Sequence, residues 1–415
     1  MVAQTDTIII FEDERVTNLY PLTLTRPAWD LLCGTGTMLE RIRRRFPTSK
    51  LRFWVREYMV PYVTERFPGI PVNQPPEDDG ILINARLVDL SVLSDLPRKG
   101  SAVFHDGIPM IATFEANKIS PWYQSGGTSA VVDGFNKGGE MPSTAVIDYP
   151  WDLVDCNETM IIQDAGSIAQ LFDFLDEVDP LAVIRGRENA RCDVGTRVGP
   201  YSVIDATTGP VILGKDVTIE SHVLIQGPVY IGDRSLVRSH ARVYGGTSVG
   251  PVCKVGGEIH GSVIHGFTNK QHDGFLGNSV VGSWCNLGAG TTISNLKNNY
   301  SPVRVQVGSQ IVDTGRLFVG SMIGDHSATA IGTPLNTGTV IGVGCNVFGA
   351  GFPSRFIPSF HLGGAGSVER QSFEVAISAM ETIMRRRGQV VSESYRQLLE
   401  YVYHMTEDDA TLSTS

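Results

Sequence analysis

His272 stands in a stretch dense in groups that bind ligands or carry protons, Asn269-Lys270-Gln271-His272-Asp273-Gly274-Phe275-Leu276-Gly277. An imidazole titrates near neutrality, so a ring held at a fixed point could take a proton from an attacking group. Asn286 and Asn295 follow within the next two dozen residues, where an amide could hold a polar ligand or simply close a turn. The six cysteines are scattered without a CxxC pair, which predicts reduced thiols and neither a disulfide framework nor a structural metal site.

These residues need a scaffold, and the scaffold is legible as a period. Counting sixes from Leu213 reaches Ile219, Ile225, Ile231, Val237, Val243, Val249 and Val255, all aliphatic and several followed by Gly. The frame breaks near Gly261, resumes at Val281, Leu287 and Ile293, breaks again, and returns with Leu317, Ile323, Thr329, Leu335, Ile341 and Val347. A six-residue spacing gives one short strand and one turn per repeat, with a single apolar side chain facing inward each time. Stacked repeats then bury a continuous column that no single repeat could bury. The two breaks, 261 to 280 and 294 to 316, are expected to project as loops and to hold the functional residues.

The flanks differ. Thr7 to Phe11, Leu51 to Val55, Gly80 to Asn84 and Ser101 to Phe104 read as strands, with helical patterns at Leu39 to Arg45, Tyr58 to Phe67 and Ser167 to Glu177. That alternation predicts an α/β domain over 1–180 with a largely parallel sheet. The β-helix is expected over 190–355. Beyond it, Phe373, Ile377, Met380, Ile383 and Met384 form a helical stripe that ends in Arg385-Arg386-Arg387-Gly388, and Ser392 to Met405 make a second helix, together a segment over 367–405.

The run from Asn269 to Gly277 continues through Val281-Gly282-Ser283-Trp284-Cys285-Asn286-Leu287-Gly288-Ala289-Gly290-Thr291 to Asn295-Leu296-Lys297-Asn298-Asn299-Tyr300. With "NLYPLTLTRP" at 18–27, Pro150-Trp151-Asp152-Leu153, Ile323-Gly324-Asp325-His326 and Leu335-Asn336-Thr337-Gly338, it resembles the GlmU-like sugar nucleotidyltransferase/acetyltransferase group. The resemblance implies a Rossmann-like nucleotidyltransferase-type α/β domain, a left-handed parallel β-helix of hexapeptide repeats, and C-terminal helices. It implies N-acetyl transfer from acetyl-CoA to an amino sugar 1-phosphate of the glucosamine 1-phosphate type, coupled to nucleotidyl transfer, in a homotrimer.

Carried onto this chain, it makes His272 the general base and gives the Ala289 N–H to the oxyanion. Asn286 and Asn295 hold the acceptor sugar, and the backbone at Ala289, Ile331 and Gly349 lines the pantetheine arm. Lys270, Lys297 and Arg242 are candidates for the acceptor phosphate, since a fixed cation would offset its charge. Two family tyrosines are replaced by Phe275 and Leu296, so their hydroxyl contacts are absent.

The N-terminal domain departs further. Phe11-Glu12-Asp13-Glu14-Arg15 stands where such transferases carry a Gly-rich phosphate loop, and Ile83-Asn84-Ala85-Arg86 where they carry an Asp for Mg²⁺. Arg26, Asn84 and the loop Gly34-Thr35-Gly36-Thr37 are the substitutes proposed for a nucleoside triphosphate, with Mg²⁺ required only if this domain is active; Asp106 and Asn157 are further ligand candidates.

With 34 basic against 44 acidic residues the net charge is -10, which argues against nucleic acid as a partner. The polar start predicts neither a signal peptide nor a membrane span, and the cytoplasm is the expected location. Other readings are nucleotidyl transfer as the main activity on a trimer scaffold, a non-catalytic assembly protein, and a zinc hydratase. The last would use His222 and His240, eighteen apart, with His260 and His265; the spacing from His222 to His260 breaks the stacking.

Overall fold

The computed structural model describes residues 7–119, 135–168, 172–175 and 178–407. Thr7–Phe11 (β1) is an apolar run buried along its whole length, flanked in parallel by Lys50–Trp54 (β2) and Gly80–Asn84 (β3). Ser101–His105 (β4) and Ile108–Phe114 (β5) form a hairpin with β5 antiparallel to β3, and Asn136–Glu140 (β6) lies beside β4. The sheet is therefore mixed rather than largely parallel. The link Asp106-Gly107 has positive φ at both residues, 48° and 78°, and so short a connection can join only antiparallel neighbours.

Helix α1 (Met38–Arg45) opens on a capping box between Thr37 and Glu40. It is followed by α2 (Val60–Arg66) and α3 (Pro150–Ile168). The helix expected over 167–177 supplies only the end of α3. Asp173–Phe174 are a short strand, and 169–171 and 176–177 lie outside the described residues.

From Val183 onward, strands of two to four residues wind into a three-faced parallel β-helix. The column from Leu213 to Val255 is buried throughout, with Ile219 paired to Val237 and Val237 to Val255 on successive coils. Thr329 also points inward, and its hydroxyl is bonded to that of Thr291 at 2.7 Å while accepting the Gly288 N–H.

The first frame break is not a loop. Ile259, Ile264 and Leu276 continue the same buried column, and the period slips because one coil is short: Val255 pairs with Lys270, fifteen positions on. The second break does project, as a hairpin of Arg304–Val307 and Gln310–Asp313. Leu317, expected in the column, is 42% exposed at the end of that insertion.

One face of the prism is covered. α3 packs on it, and a single apolar core joins the N-terminal sheet, outward residues such as Val263, Val280 and Met322, and the C-terminal helices α4 (Phe373–Arg385) and α5 (Glu393–Met405). Ser392 caps α5, the second helix expected from that residue on, but Ile383 lies on the exposed side of α4. Polar contacts sit inside this interface. Arg26 pairs with Asp325 at 2.5 Å, Asn157 donates to the Gly246 carbonyl at 2.7 Å, and the Leu32 N–H donates to His265 Nε2 at 3.1 Å.

Burial drives the pKa of His265 down to about 3 and that of His326, bonded to the Tyr395 hydroxyl, down to about 4. Both rings are thus neutral when folded, while the unfolded chain takes up protons near the ordinary histidine value. Stability is present above about pH 6.5 and is lost as pH falls toward 4, by about 3 kcal/mol for His265 over that window. His265→Gln keeps an acceptor for Leu32 and cannot protonate. Urea midpoints against pH should flatten in that variant; parallel profiles would remove His265 from the account.

Candidate functional site

The residues between the second and third strands of each coil form one edge of the prism. That edge lies opposite the covered face. On successive coils it carries Glu220 to Val223, Arg238 to Ala241, then Gly256-Gly257 alone, Gln271 to Gly274, Gly288 to Thr291, and Ala330 to Thr333. His272, Ala289 and Ile331, far apart in sequence, are each the second residue of such a corner, and the fold aligns these three in a single row; Gly349 stands at the same offset after the next second-face strand, Asn346–Val347, which no third-face strand follows.

The corners are tied by their backbones. The Gly290 N–H donates to the Asp273 carbonyl at 3.0 Å, and the Gly332 N–H to the Ala289 carbonyl at 2.7 Å. Gly274, at φ 122°, fits because a Cβ there would stand 2.1 Å from the Thr291 carbonyl oxygen. The His272 ring is exposed, and neither it nor the Ala289 N–H has a hydrogen-bond partner among the described residues. An exposed imidazole and an unpaired backbone N–H therefore stand on neighbouring coils.

The other expected residues distribute around this edge. Asn286 is exposed on the second face, within 3.4 Å of the Asn269 amide, whose oxygen accepts from Arg387 at 2.7 Å. Arg242 lies on the third face in register with Glu258, which is itself in register with Phe275. Its 2.8 Å pair with Glu258 is solvent-exposed and so can be exchanged for another anion at little cost. Asn295 is across that face, donating to Asn278 at 2.7 Å; Asn278 is a partner that the motif did not single out.

Two cations are turned elsewhere. Lys297 donates to the Pro302 carbonyl at 2.6 Å within the insertion. Lys270 is 2% exposed and points into the prism, where it donates to the carbonyls of Gly256 and His272. Neither ammonium is presented to a phosphate at the edge. The signal for Lys270 was available: six positions after the buried Ile264 is 270.

The N-terminal candidates are likewise internal. Arg26 is locked to Asp325, whose carboxylate also accepts from Thr25 Oγ1 and the Ser283 N–H, so its charge is spent between domains. Asn84 is fully buried, donating to Asp13 and to the Pro109 carbonyl and accepting from the Arg86 N–H. Neither is placed to bind a nucleotide. Arg86, also fully buried, pairs with Asp13 at 2.9 Å and with Asp148, so both carboxylates at that end of the sheet are already engaged. Asp106 is paired with Arg15, and Asn157 with the Gly34 N–H. The Thr35 N–H donates to Asp164, which fills that loop with a carboxylate.

A zinc site does not assemble either. The His222 and His240 rings lie 5.1 Å apart, tilted by 31°, beside Tyr201, but His260 sits near Tyr244 on the third face, and both nitrogens of the buried His265 are engaged. Among the described residues no group of three or more His, Cys, Asp or Glu could hold a metal ion, and no helix is long and apolar enough to cross a membrane.

Residues 8–171 match a family model described as sugar nucleotidyl transferase. The bifunctional protein GlmU of Methanococcus vannielii is 34% identical over 96 residues, covering 22% of this chain and 23% of that protein. The bifunctional sugar-1-phosphate nucleotidylyltransferase/acetyltransferase of Sulfurisphaera tokodaii is 33% identical over 91 residues, again 22% and 23%. The GlmU of Methanococcus aeolicus is 30% identical over 198 residues, 47% of this chain and 41% of that one. The matches thus span under half the length of these relatives. Among solved structures, the UDP-N-acetylglucosamine acyltransferase of Francisella novicida aligns with a TM-score of 0.35 at 14% identity, over 57% of this chain and 88% of that one.

Proposed function

We propose, for a chain that is GlmU-like in sequence and carries a sugar nucleotidyl transferase match over residues 8–171, that its β-helix edge transfers an acetyl group from acetyl-CoA to the amine of an amino sugar 1-phosphate. The observation that carries this reading is the alignment of His272 with Ala289 and Ile331 in one row of corners. The His272 imidazole takes a proton from the acceptor's ammonium group, and the lone pair so freed attacks the thioester carbonyl, the nitrogen's next proton being the one that departs with the thiolate. The Ala289 N–H offers a fixed donor to the oxygen as charge develops on it. The C–N bond forms, the C–S bond breaks, and the thiolate leaves with a proton.

Arg242 is the cation best placed for the acceptor phosphate, with Asn286 and Asn295 flanking from the two open faces. Those faces also leave room for neighbouring copies, which supports a homotrimer with the edge lying between subunits, in the cytoplasm. A coupled nucleotidyl transfer rests on the family match of the N-terminal domain and on the bifunctional relatives. Mg²⁺ does not fit the residues described there, because the carboxylates at the end of that sheet are already held by Arg86, Arg15 and His105; no step is assigned to it.

The test is release of free thiol from acetyl-CoA on addition of glucosamine 1-phosphate, galactosamine 1-phosphate or a nucleotide-linked amino sugar. Turnover with one of the two sugar phosphates is expected. No thiol release with any of them would favour an assembly role for the prism.

A further inference from the structure

Lys270 occupies a position built for an aliphatic residue. In its register it follows Val255, and Leu287 and Thr329 succeed it on the coils beyond. A methylene stem suits that column, but an ammonium does not. The head group is accommodated because the coil beneath is short. Only Gly256 and Gly257 connect Val255 to Glu258, where the neighbouring corners use four residues.

The missing residues leave a recess under the His272 corner, and the ammonium fills it. It donates 2.9 Å to the Gly256 carbonyl and 2.6 Å to the His272 carbonyl. Gly257, at φ 72°, has no room for a side chain: a Cβ would lie 2.8 Å from the ammonium nitrogen and 2.9 Å from the His272 carbonyl oxygen. Deletion, glycine and lysine are thus one arrangement.

We infer that Lys270 is a positioning residue: its ammonium, bonded from inside the prism to the His272 carbonyl, fixes the turn that presents the imidazole. This rests on the reading of His272 as the base. A cation on two carbonyl dipoles gives stronger bonds than a neutral donor. The corner it ties is otherwise held above by the Gly290 N–H on the Asp273 carbonyl and below, at its far end, by the Glu258 N–H on the Gly274 carbonyl. Burial holds the Lys270 pKa down to about 8 against the opposing pull of Asp273, as expected for a charge kept at a cost to the fold. An aliphatic residue would serve the column better. The lysine serves the turn.

The discriminating signs are opposite for stability and activity. Full-length Lys270→Met, which keeps the stem and removes the donor, should melt at or above the native temperature. Its kcat in the thiol-release assay should fall by about 10- to 100-fold, the scale of a small displacement of a reacting group. KM for acetyl-CoA should stay within about twofold. Lys270→Gln, which retains an N–H donor, should fall between native and Lys270→Met. Amide hydrogen exchange over residues 271–274 should quicken in Lys270→Met.

A kcat equal to native in the methionine variant overturns the inference, as does a melting temperature well below native, which would make the lysine a structural member of the column. If the native chain releases no thiol, the acetyl-transfer reading fails by itself. The exchange measurement then decides the tie alone, and unchanged exchange at 271–274 overturns it.

Discussion

His272→Ala is expected to lower kcat for acetyl transfer by about 10² to 10⁴, the range in which a positioned general base contributes, while KM for acetyl-CoA changes little. The exposed ring makes no hydrogen bond, ion pair or ring contact among the described residues, so its removal leaves the corner backbone, tied through Asp273 and Lys270, in place. Folding should survive, and a melting temperature within a few degrees of native is the control. The amine deprotonates unaided at high pH, so the deficit should narrow as pH rises above neutrality. Equal kcat in variant and native enzyme would remove the imidazole from the chemistry; a constant deficit at all pH values would assign it to binding rather than to proton transfer.

The second large effect is on stability. Arg26→Met should cost about 3 to 5 kcal/mol, because it leaves a buried carboxylate without its cation. Burial alone would lift the Asp325 carboxyl, and Arg26 overrides that, holding it below the ordinary range. Thr25 and Ser283 would still donate to Asp325, but neutral donors do not replace a guanidinium at 2.5 Å. Arg26→Met combined with Asp325→Leu should recover most of the loss, since an apolar pair of similar volume avoids the desolvation of two charges. Urea unfolding of the two variants checks both values. A single-variant loss under about 1 kcal/mol would mean that water reaches the pair.

Much of the architecture was legible because the β-helix writes its period into the chain: eight aliphatics at intervals of six can be counted without knowing what they touch. A fixed count fails where coils change length. The two-residue corner at Gly256-Gly257 shifted the frame, so a continuous coil read as a loop and an inward lysine read as a candidate for the acceptor phosphate. The hairpin at Asp106-Gly107 had its own local signal, which the alternation of strands and helices overrode.

The partners of Arg26 and Asn84 were illegible for a different reason. Their partners are Asp325, nearly three hundred positions away, and the Asp13–Arg86 pair, and no local pattern reports that a charge will be neutralised across an interface. His272 was legible because its motif is contiguous. That Ile331 shares its edge emerges only when the chain is wound.

The covered face has a consequence for traffic. The N-terminal sheet and the His272 edge occupy opposite sides of one column whose interior is filled with buried side chains. Among the described residues, a molecule finished at one side would reach the other by travelling around that column through bulk water or by meeting a different polypeptide first.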